Sequence, residues 1–262
     1  MPTTDLISPF VVSCAGGLTL NKDVFSMQPG EALILQNFEP DIKGGYRRVN
    51  GTALYNTTQV PQGSSNASTT VDCSIVFNNQ VIAARGGDIH RGAASGSWTT
   101  LTTGLGTSTR AYDFEKYNFN GTDKLIIATG HSAAQSIDAS FNVDPINATS
   151  GGTAPSNPKF VKVFQNHMFY AGATNSQEII FSVPFSEDNF TTGSGAGSFR
   201  VDSAVVGLKV FRNELIIFCE DRIYKLTGTT SSNFAVQEVT RNIGCRDGGS
   251  IQEIGGDVIF LA

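Results

Sequence analysis

Acid–base, nucleophilic and metal chemistry all need reactive side chains brought close together, and this sequence spaces them thinly. Its three histidines, His90, His131 and His167, stand at least 36 residues apart. No two share the short spacing that puts metal ligands on one element. No G-x-S-x-G elbow accompanies them to mark a Ser-His-Asp set. Carboxylates are adjacent twice, at Glu187-Asp188 and Glu220-Asp221. The second pair sits in "FCEDRIY", where Asp followed by Arg suits a solvated hairpin tip, whereas glycoside hydrolysis needs two carboxylates facing each other across a pocket. "GSGAGSF", residues 193–199, has the glycines of a phosphate loop but no lysine, and reads as a flexible connection. The four cysteines, Cys14, Cys73, Cys219 and Cys245, form no C-x-x-C pair and read as buried free thiols. The expectation is therefore a protein that is not an enzyme, with no catalytic residue, no cofactor and no metal.

Composition narrows the class further. Among 262 residues there are 28 Gly, and short Val/Ile/Phe-rich runs alternate with Ser, Thr and Asn, while charged residues make up only 16%. That balance points to an all-β chain whose 18 Phe fill the core. A net charge of −5 argues against a surface built to grip phosphates. No apolar run approaches the roughly 18 to 20 residues that span a bilayer. "FVVSCAGG", residues 10–17, imitates a lipoprotein cleavage site at Cys14. The segment before it lacks the basic start and the long apolar middle of a signal peptide, so no leader is expected. The Asn-x-Ser/Thr sequons are what a chain rich in those residues produces by chance.

The elements that must carry any site declare themselves as a repeat. "VFNNQVIAA", "NFNGTDKLIIA", "VFQNHMFYA", "VFRNELIIFCEDRIYKL" and "EIGGDVIFLA" each hold an apolar run, a tight turn and a second apolar run. Aligned on the triplets Val81-Ile82-Ala83, Leu125-Ile126-Ile127, Met168-Phe169-Tyr170, Leu215-Ile216-Ile217 and Val258-Ile259-Phe260, the copies are offset by 44, 43, 47 and 43 residues. Phe77, Phe164, Phe211 and Ile254 stand four residues before their triplets, and in the second copy a longer turn is expected to put Phe119 six before. Turns such as "NN", "QN", "RN" and "GG" suit positive φ in a hairpin.

Such a period with several short strands per unit predicts a β-propeller-like fold of about five four-stranded blades of 43–47 residues. The triplets are expected to be strands packed on both faces, and "DRIYKL" a more exposed strand farther out. The Gly/Ser/Thr/Pro-rich stretch 143–160 reads as a crossover between blades.

Residues 1–60 fall outside the repeat and read as an extended N-terminal arm and docking segment, with 61–262 as the propeller. The last blade is expected to be incomplete or closed by the N-terminal segment, with a strand pairing at Ile259. "GGYRR", residues 44–48, holds the sequence's adjacent Arg pair beside an aromatic, a combination enriched at protein contacts. The interface expected here comprises Asn37, Phe38, Tyr46, Arg47 and Arg48. A second function class, a glycan- or receptor-binding propeller, would use loop aromatics such as Trp98, Tyr112 and Phe190. Ligand residues of that kind should recur from blade to blade, yet only core triplets and turns recur.

"GGLTLNKDVFSMQPGEALILQNFEPDIKGGYRRVNG" resembles the N-terminal region of phage tail structural proteins. There an Asn ending an apolar stretch, here Asn37, precedes an extended segment, a Gly-containing turn and an Arg-x-x-Gly, here Arg48 and Gly51. "IIFSVPFSEDNF" and the sequence from "VVGLKVFRNELIIF" to "GGDVIFLA" are similar to blades of the same family, the tail nozzle or tail tubular protein B-like components of tailed phages, notably those of cyanobacteria. The resemblance implies a virion protein at the tail or head-to-tail junction. It also implies a homo-oligomeric ring, typically hexameric, contacting adaptor, portal, tail or fibre proteins around exiting DNA, without specific DNA binding and without a membrane.

Overall fold

Five two-residue turns set the architecture. Asn78-Asn79, Asn120-Gly121, Gln165-Asn166, Arg212-Asn213 and Gly255-Gly256 all have positive φ at both residues, from 43° to 95°. That geometry matches the twist of a tight antiparallel hairpin. The second turn is no longer than the others. Its hairpin instead has longer strands, Thr122 pairing directly with Phe119, which corrects the expectation of a longer turn.

The computed structural model describes residues 16–41, 45–63, 71–106, 112–148 and 150–262. The chain divides into two compact units, Met1–Leu54 and Tyr55–Ala262. The first unit contains β1 (Gly17–Leu18) and β2 (Glu31–Ala32), paired in parallel, and β3 (Phe38–Pro40) and β4 (Tyr46–Arg48), paired antiparallel. A single 3-10 turn, Val24–Ser26, lies between β1 and β2. Cys14 and Gly44 lie outside the described residues.

The second unit is a run of antiparallel sheets, each wound in chain order. The first holds β5 (Cys73–Phe77), β6 (Gln80–Arg85), β7 (Asp88–Gly92) and β8 (Thr99–Thr102). The second holds β9 (Asp113–Phe119), β10 (Thr122–Ala128), β11 (Gln135–Asp138) and β12 (Val143–Pro145). The third holds β13 (Phe160–Phe164), β14 (His167–Ala171), β15 (Glu178–Phe181) and β16 (Gly197–Arg200). The fourth holds β17 (Val205–Phe211), β18 (Glu214–Cys219), β19 (Arg222–Thr227) and β20 (Ala235–Arg241). β21 (Gln252–Ile254) and β22 (Asp257–Ile259) form a two-stranded sheet. The first strands β5, β9, β13 and β17 neighbour one another in order, which makes each sheet a blade of an all-β, propeller-like fold. Four blades are complete and the fifth copy is a hairpin, with β22 paired to β21 alone among the described residues.

Alternation along each second strand explains why the triplets are continuously apolar. Leu125 and Ile127 face the first blade with Ile82, Ala84 and Ile89, while Ile126 and Ala128 face the third with Val161, Met168 and Tyr170. The third and fourth blades meet through Phe169, Ile179 and Phe181 against Leu215, Ile217 and Leu226. Each fully buried Ile or Leu there removes apolar surface worth about 1.5 to 3 kcal/mol. Two expectations are corrected. β19 is largely buried at Ile223, Tyr224 and Leu226, because it is the third strand of a blade covered on both faces, and the exposed strand is β20. In the last copy Ile254 and Ile259 are exposed, because the hairpin packs only Val258 and Phe260 against Phe218.

Polar contacts repeat the same blade-to-blade logic. At the turn end, Lys116 donates to the Val76 carbonyl, Tyr117 to Asn166 Oδ1 (2.6 Å), Gln165 to Asn213 Oδ1 (3.1 Å) and Arg212 to the Gly256 carbonyl (2.8 Å). Between first strands, Asp113 Oδ2 accepts from the Val161 amide (2.9 Å), and Glu115 pairs with Lys162 while accepting from the Val163 amide. Each blade is thus registered against the next.

Candidate interaction surface

The five residues predicted as an interface come together on one hairpin. Phe38 stands opposite Arg48, Glu39 opposite Arg47 and Pro40 opposite Tyr46. Asn37 enters β3 at φ 62°, a left-handed conformation that Asn tolerates, and its carbonyl accepts from the Val49 amide (2.9 Å). Arg47 Nε pairs with Glu39 (2.7 Å) at a solvated site, so that contact orients the strands more than it stabilises them. Tyr46 reaches back through its hydroxyl to the Gly30 carbonyl (3.4 Å), tying the hairpin to the turn before β2. Arg48 is exposed and makes no ion pair among the described residues.

What sequence reasoning missed is how many apolar side chains of this unit stand exposed. Thr19 is the sole buried residue among the described residues of the first unit, so those residues bury no apolar side chain. Its large apolar side chains are turned outward: Leu20 is 78% exposed, Phe25 96%, Ile34 82% and Leu54 82%, joined by Leu18, Val24, Leu33, Phe38 and Val49. Taking ~150 to 200 Å² per fully exposed side chain, these nine present on the order of 1,000 Å². One partner of a standard protein interface contributes roughly 800 Å². The available sequence signal was an apolar stretch with no counterpart in the repeat.

The side chains weighed as chemistry have structural roles. His167 is buried among Phe169, Phe181 and Phe234, with Nδ1 donating to the Ser182 carbonyl (2.6 Å). Burial holds the pKa of both His167 and His90 below the usual value. Burial also pushes the thiols of Cys73 and Cys219 up to about 12, which keeps them protonated and unreactive. Glu220 and Asp221 form the β18–β19 turn, where Asp221 pairs with Arg222 (3.2 Å). Glu187 is buried between the second and third blades in an ion pair with Lys124. Residues 193–199 form the end of a 3-10 turn followed by β16.

Two of the three candidate glycan-binding aromatics are core residues. Tyr112 is buried and donates to the Gly106 carbonyl (2.8 Å), and Phe190 packs against Tyr170. Trp98 stays half-buried.

Repeated four-stranded blades define a propeller-like β protein. No protein-family model and no curated protein matches the chain. Among solved structures it is similar to a chain of the mitotic checkpoint complex, with 16% identity and a TM-score of 0.44 over 68% of this chain and 54% of that one. It is also similar to Saccharomyces cerevisiae Sqt1, with 10% identity and a TM-score of 0.43 over 80% and 56%. A third is BamB from Moraxella catarrhalis, with 12% identity and a TM-score of 0.40 over 64% and 51%. The matches take in little more than half of those chains.

Proposed function

We propose that this chain is a structural subunit of a phage virion, a tail nozzle or neck component that assembles as a ring around the DNA exit channel. The observation that carries the reading is the first unit, among whose described residues no large apolar side chain is buried and nine are exposed, Phe38 of the Phe38–Arg48 hairpin among them. A surface of that area is satisfied by protein neighbours. The blades supply the complementary property, a body stiffened by apolar packing and polar links at each junction. A net charge of −5 lets DNA pass by repulsion instead of adhesion. In this reading the first unit docks on a neighbouring copy or on the adaptor, and the resemblance of residues 16–51 to phage tail proteins supports the same assignment.

The test is light scattering on the full chain, paired with cryo-electron microscopy of the particle. The expected result is a closed ring in solution and ring density at the tail or head-to-tail junction. A Phe25→Asp, Ile34→Asp double variant should give a folded monomer. A chain that stays monomeric at high concentration and is missing from purified particles would overturn the proposal.

A further inference from the structure

On the outer side of the first blade lies a pocket of about 420 Å³ that no other observation explains. Its walls are Tyr55, Asn56 and Gln59 from the segment before β5, Ser74 and Val81 from the sheet, and Trp98 from the approach to β8. No charged side chain lines it among the described residues. Two aromatic residues are seated on one glycine. The Trp98 ring rests on Gly92 so closely that an added Cβ would come within 2.7 Å of it, and the Tyr55 hydroxyl donates to the Gly92 carbonyl (3.4 Å). Trp98 Nε1 donates to the Thr58 carbonyl (2.9 Å), which uses up the indole's polar atom and leaves the ring as an apolar plate.

The amides around that plate divide into one that builds and one that is available. Asn56 is fixed, donating to the Ala93 carbonyl (3.1 Å) and accepting from the Thr58 amide (2.8 Å). Gln59 and Ser74 are exposed and make no side-chain hydrogen bond among the described residues. An amide both donates and accepts, as a sugar hydroxyl does, and an aromatic plate suits the C–H face of a pyranose ring.

We infer that this pocket binds a neutral sugar, one or two pyranose units whose C–H face lies on Trp98 and Tyr55 and whose hydroxyls meet Gln59 and Ser74. The absence of lining charge selects against acidic sugars, which would have to lose hydration without gaining a counter-charge. The site is independent of the ring proposed above and uses none of the first unit's residues.

Trp98 is the chain's one tryptophan, so its emission reports on this pocket alone. The full chain is titrated with neutral oligosaccharides built from glucose, galactose, mannose and N-acetylglucosamine, and with oligogalacturonate of matched length. The expected result is a saturable change in emission with at least one neutral series and none with oligogalacturonate. Gln59→Ala and Ser74→Ala should each weaken binding about fivefold while leaving the urea midpoint unchanged. No saturable change with any neutral series, equal binding of the acidic one, or full affinity in both variants would each overturn the inference.

Discussion

Asp113 makes the stability of the blades depend on pH in a direction opposite to that of an ordinary salt-bridged carboxylate. It lies at the start of β9, partly buried against β13, and accepts from the Val161 amide (2.9 Å) and from the Phe114 amide (3.0 Å). Burial raises its pKa from 3.8 to about 6, against the opposing pull of Lys162 and those amide donors. Between the two values the folded state holds a proton that the unfolded chain has released, so stability falls as pH rises through that window and is level above it. A displacement of about two pH units corresponds to about 2 to 3 kcal/mol. The Asp113→Asn variant cannot ionise and should lack this slope. Equilibrium urea unfolding of both proteins at intervals from pH 4 to pH 7.5 tests this, because the difference between the two curves cancels the opposite contributions of His90 and His167, whose depressed pKa values favour folding as pH rises. The expected difference, variant minus wild type, grows by about 2 to 3 kcal/mol across the range. Curves that stay parallel would refute the assignment of a carboxyl raised by burial at Asp113.

Other consequences are local. Gly152 has φ 81°, and a Cβ there would lie 2.1 Å from the Phe190 carbonyl oxygen, so Gly152→Ala should prevent folding or lower the urea midpoint sharply. Gly121, at φ 95° with open space around it, should cost only about 1 kcal/mol on the same substitution, and a larger loss in the same assay would count against a solvated turn. Phe169→Ala, deep between the third and fourth blades, should destabilise by about 3 to 5 kcal/mol in urea unfolding, as expected for an aromatic removed from a closed core.

The blades were legible in the sequence because a fixed period and a positive-φ turn are local signals, and each triplet reports burial on two faces. Where the reading slipped, distant contacts decided. "DRIYKL" alternates like a half-exposed strand, yet Tyr224 and Leu226 are covered by the third blade, which periodicity does not register. Residues 55–60 read as part of the arm but belong with the blades, because Trp98 and Arg85 bond the carbonyls of Thr58 and Val60 across long stretches of chain. Tyr46, Arg47 and Arg48 were singled out by the Arg pair beside an aromatic, while their pairing with Phe38–Pro40 became evident only in the fold. The exposed Phe25 and Ile34 were not singled out, since an apolar residue in a sequence is indistinguishable from core until the fold shows that nothing covers it.

The hydrogen bonds that run from turn to turn at one end of the blades also have a mechanical meaning. Each joins a blade only to its neighbour, so a pull on one is handed along a line of joints in series. A series linkage gives way at its weakest joint first. At the last joint Arg212, 71% exposed, reaches the Gly256 carbonyl. The interior joints are backed by Ile126, Met168 and Phe169, and the last by Val258 and Phe260 against Phe218.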